Sequence, residues 1–564
     1  MAVLLTGKAN LQSRPPDQAL VKLITPQDAV RLECLPWYTI GNLLFLAVSE
    51  DADAERARRH MARLWSGPII TSHLSRMDLR QVQLEHWADA LREDAITRCP
   101  DEYACRRLGS PRLRQSYTMI LLLCATLALL FPVVAMSLLL GWIIVMNCAT
   151  IVLRIVSLFS VPMRMTSSAS GKLHQTPTVS ILLPVYQENS VVSQLLTALA
   201  HLDYPKANLD IKLLVEADDD ETRAALAGAY LPVEVDVITV PPGLPKTKPR
   251  AMNHALPFCR GEIIGIYDAE DMPHPDQISV IVRHLTTAPK DVACVQAALD
   301  FYNPGQNWLT RCFTMEYAIW FRVLLHGVQR LKMPLPLGGT SVFFRRDVLE
   351  EVGAWDAHNV TEDADLGMRL ARMGYRCEMV PSTTFEEANC QYGNWLRQRS
   401  RWLKGYAITW LTHMRNPRKL MQDLGLQPFI GFQILLLGGV TSYLAIPLHV
   451  AFIAFAITGH VPQSLGDVSS LLWWVFLVSL PVGNAILLVS ATLAVLRQGK
   501  HSLLPWMLTL PAYWLLGAVA AYRAILELLG NPFHWHKTEH GLSAAPAKHI
   551  VPSTAAQASP LPKS

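Results

Sequence analysis

Two long stretches of this chain carry almost no charge. From Gln115 to Leu153 there is no Asp, Glu, Lys or Arg, and between Asp423 and Arg497 the only such residue is Asp467. A charge at the centre of a bilayer-spanning helix costs roughly 2.5–3.5 kcal/mol, so tracts this clean read as membrane spans. Divided at turn signals they give Tyr117–Ser137, Leu139–Ser160, Phe429–Ile457, Ser469–Leu496 and Leu503–Tyr522, each near the ~20 residues a crossing requires. The whole chain of 564 residues, 51% hydrophobic and 17% charged, is correspondingly more apolar than a soluble protein.

Polar, charged sequence precedes the first span, without the pattern of a cleavable signal peptide. Arg106, Arg107, Arg112 and Arg114 lie before that span, and Arg154 and Arg164 flank the end of the second. The positive-inside rule then predicts an in-out-in hairpin that keeps the block up to about Gln427 cytoplasmic. Ten scattered cysteines show no zinc or disulfide spacing, and a net charge of +4 gives no reason to expect nucleic acid.

Between the apolar tracts, Thr178–Tyr186, Ile211–Ala217, Val233–Val240, Ile263–Tyr267 and Cys294–Leu299 are short, nearly continuous apolar runs. Such runs suit parallel strands covered on both faces. Helical patterns such as Val191–Leu202 and Ala251–Cys259 alternate with them, which predicts a doubly wound α/β sheet with ligands at the carboxyl ends of its strands.

Those ends are acidic: Glu188 follows the first strand, Glu216 to Asp220 the second, and Asp268, Glu270 and Asp271 the fourth. Any one cluster reads equally well as helix caps and solvated turns. Three in register, with Lys246, Lys248 and Asn253 between them, point to a nucleotide site in which a hard divalent ion bridges a diphosphate. Further on, Thr361 has the shape of an N-cap for a helix over Glu362–Tyr375, placing Asp363 in a first turn where the helix dipole favours an ionised carboxylate. Gln398, Arg401 and Trp402 share one helical face, which sets a bidentate cationic fork beside a flat apolar wall. The same segment also reads as a basic amphipathic helix on lipid, with Arg399 and Lys404 toward headgroups.

The order of Pro184–Asn189, Asp218, Lys248–Asn253, Asp268-Ala269-Glu270, Gly338-Gly339-Thr340, Thr361-Glu362-Asp363 and Gln398–Trp402 resembles inverting glycosyltransferase family 2, in particular the membrane-embedded cellulose and hyaluronan synthase-like enzymes. The resemblance implies a GT-A-type nucleotide-binding domain inserted between transmembrane helices. It implies that Asp268 and Glu270 hold Mg2+ or Mn2+ and the diphosphate, with Glu in place of the usual second Asp. Glu216 and Asp218 would contact the uracil or ribose, Lys248 the diphosphate, and Gln398, Arg401 and Trp402 the substrates. Asp363 would be the catalytic base, with Thr340 and Glu362 near the acceptor.

At the chain's ends, Leu35-Pro36-Trp37 through Asp51 resembles the N-terminal domain of type II secretion ATPases, and Val30–Leu35, Leu43–Val48 and Ile69–His73 are expected strands around a helix over Ala54–Trp65. That resemblance implies a docking role or binding of cyclic di-GMP. Asn531 to Thr538 resembles the gating loops of synthases, with Trp535, Lys537 and Thr538 over the nucleotide. Five crossings would leave that segment outside, so either Phe429–Ile457 or Leu503–Tyr522 is expected to be interfacial or re-entrant. The expected organisation is therefore a small cytoplasmic α/β domain (1–110), two transmembrane helices (111–161), the cytoplasmic GT-A domain with its interfacial helix (162–428), C-terminal membrane helices (429–527), and a gating segment with a disordered tail (528–564). The leading functional expectation is a bacterial inner-membrane synthase that uses a UDP-sugar to extend and export a β-linked polysaccharide, with outer-membrane export components as partners. The alternatives are a transferase that glycosylates a lipid acceptor, and a non-enzymatic export or receptor component.

Overall fold

The computed structural model describes residues 14–160, 176–188, 192–459 and 470–535. An N-terminal unit is built on three strands, β1 (Cys34–Ile40), β2 (Leu43–Ser49) and β3 (Ile69–Leu74), in the order β1-β2-β3. The expected strand over Val30–Leu35 is corrected: a helix capped by Thr25 and started by Pro26 runs to Arg31, and the strand begins only at Cys34. Pro at the first helical position and a capping hydroxyl are start signals that outweigh the short apolar run. Helix α1 (Arg76–Thr97) then crosses to the next domain.

Helices α2 (Pro111–Leu130) and α3 (Pro132–Leu158) form the first apolar pair. The break falls at Phe131, not near Leu138 as the sequence reading had it, because Pro132 cannot continue the preceding helix and instead starts the next.

The central sheet has eight strands in the order β6-β5-β4-β7-β10-β9-β11-β8. These are β4 (Val179–Val185), β5 (Leu209–Glu216), β6 (Val235–Val240), β7 (Ile263–Ile266), β8 (Met272–Pro273), β9 (Val292–Phe301), β10 (Val342–Arg345) and β11 (Arg376–Glu386). The first four are parallel, β10 is antiparallel to both neighbours, and β11 returns parallel to β9. The sheet is thus mixed and GT-A-like. Chain order reverses at β4, so the ends of β4, β5 and β7 open one crevice, the place where such sheets bind ligands.

Four helices dress that crevice: α4 (Lys248–Ala255), α5 (Trp308–Ile319), α6 (Glu362–Arg372) and α7 (Tyr392–His413). After α7, Leu426–Leu444 and Ile446–Phe455 form an apolar pair bent by 48°. Helix α8 (Ser470–Arg497) follows, and α9 (Leu510–Gly530) is led in by a 3-10 turn over His501–Thr509. Among the described residues three helices are long and apolar enough to cross a membrane, or four if the bent pair is one span, with a shorter apolar helix at Gln115–Leu130. Helix α9 lies along α7. Tyr513, near its start, touches Trp395 and Arg399, while Glu527, near its end, pairs with Lys404. Both ends of α9 therefore sit against the same domain, and the segment after it returns to the crevice.

Candidate active site

A cavity of about 700 Å³ fills the crevice, and Asp268, Glu270, Lys248, Asp363, Glu362, Gln398, Arg401 and Trp402 all line it, together with Glu216 and Thr340. Residues separated by almost two hundred positions are brought together because β5, β7, α4 and α6 end or begin there and the middle of α7 runs across it.

On the nucleotide side, Lys248 at the start of α4 reaches Asp268 Oδ1 at 2.5 Å and the Gly339 carbonyl oxygen at 2.9 Å. Burial opposes the Lys248 ammonium, yet Asp268, Asp363 and Glu362 outweigh it and hold its pKa above the ordinary value. Two turns of α4 carry a second cation, Arg250, whose guanidinium donates to both oxygens of Glu216 at 2.9 and 2.7 Å. Asp218 sits at the mouth of the crevice, paired with Lys246 at 2.8 Å, and Lys246 lies over the Tyr186 ring. Glu216 is thus committed to Arg250, while Asp218 and Tyr186 form the exposed rim.

Asp268 projects into the cavity because its backbone is fixed from behind. Its N–H donates to Asp271 Oδ2 at 2.8 Å and to Thr340 Oγ1 at 3.2 Å, and the Thr340 hydroxyl donates to Asp271. Asp271 is therefore a buried brace whose carboxyl is pushed well up by burial and by Asp268. Thr340 lines the wall with its hydroxyl already engaged. Asp268 and Glu270 line the cavity with the hard oxygen donors that suit a divalent cation; among the described residues no group of three or more His, Cys, Asp or Glu is arranged to hold one alone. That donor set fits an ion completing its shell with phosphate oxygens.

Asp363 stands in the first turn of α6. Thr361 occupies the N-cap position but makes no side-chain cap; its N–H donates to Asn359 Oδ1 at 3.0 Å and its side chain packs against Gly405 of α7, where any Cβ would collide with it. Gly339, at φ +91°, lets the backbone pass Asp363: an added Cβ would sit 3.1 Å from Asp363 Oδ2. The expectation that the helix start holds Asp363 ionised is corrected. Burial, then Glu362, pushes its pKa well above the usual carboxylate range, outweighing Lys248. A helix dipole contributes at most about 2 kcal/mol, less than the desolvation of a buried carboxylate between two others. A carboxylate tuned upward in this way is better matched to exchanging a proton near neutral pH than an ordinary one.

On α7, Gln398 accepts from Asn389 at 2.8 Å, Arg401 faces the cavity with Glu362, Asp268 and Asp363 as its charged neighbours, and Trp402 lies between Phe313 and Tyr317, 6.1 Å from each. The lipid-facing expectation for Arg399 and Lys404 is corrected. Arg399 donates to Glu316 through both terminal nitrogens and to Tyr513, and lies 5.0 Å from the Trp402 ring centroid; Lys404 is buried against Glu527. Trp535 closes the cavity from the far side, with the Arg401 guanidinium 5.6 Å from its ring. Lys537 and Thr538 lie outside the described residues.

Sequence reasoning missed Glu386, Glu316, Tyr317 and Tyr443, all in the cavity wall. Asp363 Oδ1, Glu386 Oε1, Arg399 Nε and Arg401 Nε are buried in that wall without a hydrogen-bond partner. Orphaned polar atoms cost about 1–3 kcal/mol each, a cost that a bound ligand relieves by pairing with them.

In this mixed GT-A-like sheet, acidic strand ends, Lys248, Asp363 and Arg401 thus meet in one cavity. Residues 263–522 match the family model "Glycosyl transferase family group 2". Those residues, a little under half of the chain, thus match a glycosyltransferase family 2 domain. The chain is 30% identical over 238 residues to the probable glycosyltransferase YdaM of Bacillus subtilis (strain 168), covering 41% of this chain and 56% of that one. It is 27% identical over 327 residues to a beta-monoglucosyldiacylglycerol synthase of Nostoc sp. (strain PCC 7120 / SAG 25.82 / UTEX 2576), covering 56% and 65%. A further relative, 29% identical over 238 residues (41% of this chain and 32% of the relative), is the UDP-forming cellulose synthase catalytic subunit of Xanthomonas axonopodis pv. citri (strain 306). The chain thus spans less than two thirds of the length of each of these relatives. Among solved structures, a mannosyltransferase from Pyrobaculum calidifontis in complex with GDP-Man and Mn2+ is 18% identical, covering 70% of this chain and 99% of that one at a TM-score of 0.48.

Proposed function

We propose that this protein is a membrane glycosyltransferase that moves a hexosyl group from a UDP-sugar to an acceptor hydroxyl with inversion, and that its acceptor is the end of a growing β-linked glycan. The observation that carries the reading is the placement of Asp363, Arg401 and Asp268 around one cavity that Trp320, Trp402, Tyr406 and Tyr443 also line. Asp363 takes the acceptor proton as that oxygen bonds to the anomeric carbon; the bond from carbon to the β-phosphate oxygen breaks, and its electron pair leaves on UDP. Arg401 and Lys248 face that developing charge. Mg2+ or Mn2+, held by Asp268 and Glu270, would neutralise the diphosphate when bound. Trp320, Trp402, Tyr406 and Tyr443 continue the cavity toward the bent apolar pair, a surface suited to stacking on successive sugar rings. In this reading the catalytic domain is cytoplasmic, α9 rests at the inner-membrane interface, and the N-terminal unit is a docking or cyclic di-GMP-binding module that couples the synthase to regulators or export components.

A glycolipid-forming transferase is the second reading, favoured by the similarity to beta-monoglucosyldiacylglycerol synthases. Purified protein given UDP-sugars with Mg2+ or Mn2+ separates them: a ladder or high-mass polymer supports the synthase, and a single glycolipid overturns it.

A further inference from the structure

Among the further acids that line the cavity, one stands at the carboxyl end of β11. Glu386 is the last residue of that strand; its neighbours Thr384 and Phe385 pair with Pro273 and Met272 of β8, the short strand that follows Asp271. Its own partner in β9 is Phe301, and the Tyr302 N–H donates to its carbonyl oxygen at 3.1 Å. The backbone is thus fixed on both sides, and the side chain has one direction left, into the cavity. There Oε1 is buried with no hydrogen-bond partner.

The surroundings define what it faces. Its charged neighbours are Asp271, Glu270, Asp268 and Lys248, and it also acts on Tyr317, whose ring lies 4.3 Å from Phe301 and 6.1 Å from Trp402. Glu386 therefore shares one cavity wall with Asp268 and Glu270 and with the aromatic residues Tyr317 and Trp402. The sugar of a nucleoside diphosphate sugar is joined directly to its β-phosphate, so it must occupy this same cavity once the diphosphate meets Asp268 and Lys248. A carboxyl oxygen without a partner beside a polyol is a natural acceptor for one of its hydroxyls.

Resting on the proposed reaction, we infer that Glu386 is a specificity-determining residue that accepts a hydrogen bond from a ring hydroxyl of the donor sugar. A site built around such a bond discriminates strongly against donors lacking the hydroxyl, because the carboxyl is then left buried and unpaired.

The test uses the full-length protein and the release of UDP from UDP-glucose, UDP-galactose, UDP-N-acetylglucosamine and the monodeoxy analogues of the best of them, with Glu386→Ala and Glu386→Gln compared with wild type. One deoxy position is expected to lower kcat/KM at least tenfold in wild type but less than threefold in Glu386→Ala, with Glu386→Gln intermediate and the UDP dissociation constant unchanged in all three. Equal losses for every deoxy donor in wild type and variant would overturn the inference, as would a raised requirement for Mn2+ in the variants, which would make Glu386 a metal-site residue. Absence of UDP release from every sugar by wild type would instead overturn the proposed reaction.

Discussion

Lys248 and Asp268 are joined by a 2.5 Å contact across the floor of the crevice, and Lys248 also donates to the Gly339 carbonyl oxygen, tying α4 to β7 and to the glycine turn beside Asp363. Replacing Lys248 with Met removes the cation that offsets three carboxylates. The expected outcome is a loss of about 10²–10³ in kcat/KM, carried mainly by donor KM; unchanged donor KM in steady-state assays would contradict it.

Asp363→Asn keeps the shape of the wall and removes the base. Transfer is expected to fall by about 10²–10⁴ while UDP binding, followed by calorimetry, stays within twofold. Because burial and Glu362 raise the Asp363 pKa, the active ionised form is lost as pH falls through that raised value. The acid limb of kcat/KM should therefore lie above the ordinary carboxylate range near pH 4; a flat profile down to pH 4.5 would remove Asp363 from this role.

Arg399 and Glu316 form a buried pair beneath Trp402, with Tyr513 hydroxyl donating to Glu316 at 2.7 Å. Arg399→Met leaves a carboxylate in an aromatic setting and should cost about 3–5 kcal/mol of stability. Thermal unfolding measures this. Retained binding to anionic vesicles is expected in the same variant, since Arg399 does not face headgroups.

His254 supplies a pH test of stability outside the membrane segments. Burial, then Arg250 and Arg98, lower its pKa from 6.5 to about 4, and neither ring nitrogen has a hydrogen-bond partner. The unfolded chain binds the extra proton first, so stability is full above about pH 6.5 and is lost as pH falls toward 4. His254→Leu should flatten the unfolding midpoint across that window; an unchanged slope would assign the acid sensitivity elsewhere.

Asn253, one residue before it, donates to the carbonyl oxygens of Ala95 at 3.0 Å and Trp355 at 2.7 Å. It links α1 of the N-terminal unit to the helix that carries Lys248. Asn253→Ala is expected to raise donor KM several-fold without altering any group that touches the nucleotide, as initial-rate measurements at varied UDP-sugar would record.

All five strands read from apolar runs are present within one or two residues at most ends, because continuous Val, Ile and Leu runs have few other places to go. Strands β10 and β11 escaped that reading. β10 is four residues long, and β11, Arg-Cys-Glu-Met-Val-Pro-Ser-Thr-Thr-Phe-Glu, has neither a continuous apolar run nor clean alternation. Missing β11 meant missing Glu386, although Thr383-Thr384-Phe385 carried a usable β-propensity signal. The residues of α6 and α7 were legible as motifs, but the environment of Arg399 was not. Its partner Glu316 is 83 positions away, and a helical face alone cannot distinguish a salt bridge in a protein interior from a contact with lipid.

Helix α9 joins two parts of the site that would otherwise be independent. Tyr513 at its beginning helps hold the aromatic floor, and Trp535 just beyond its end lies on Arg401. A single helix thus links the residues packed beneath Trp402 to the aromatic ring beside Arg401, which in the proposed reaction are the support under the sugar and the cover over the leaving group. A shift of α9 along α7, whether from a bound glycan or from the thickness of the surrounding bilayer, would move both together, so that loosening the grip on the product and uncovering the spent nucleotide become one motion rather than two.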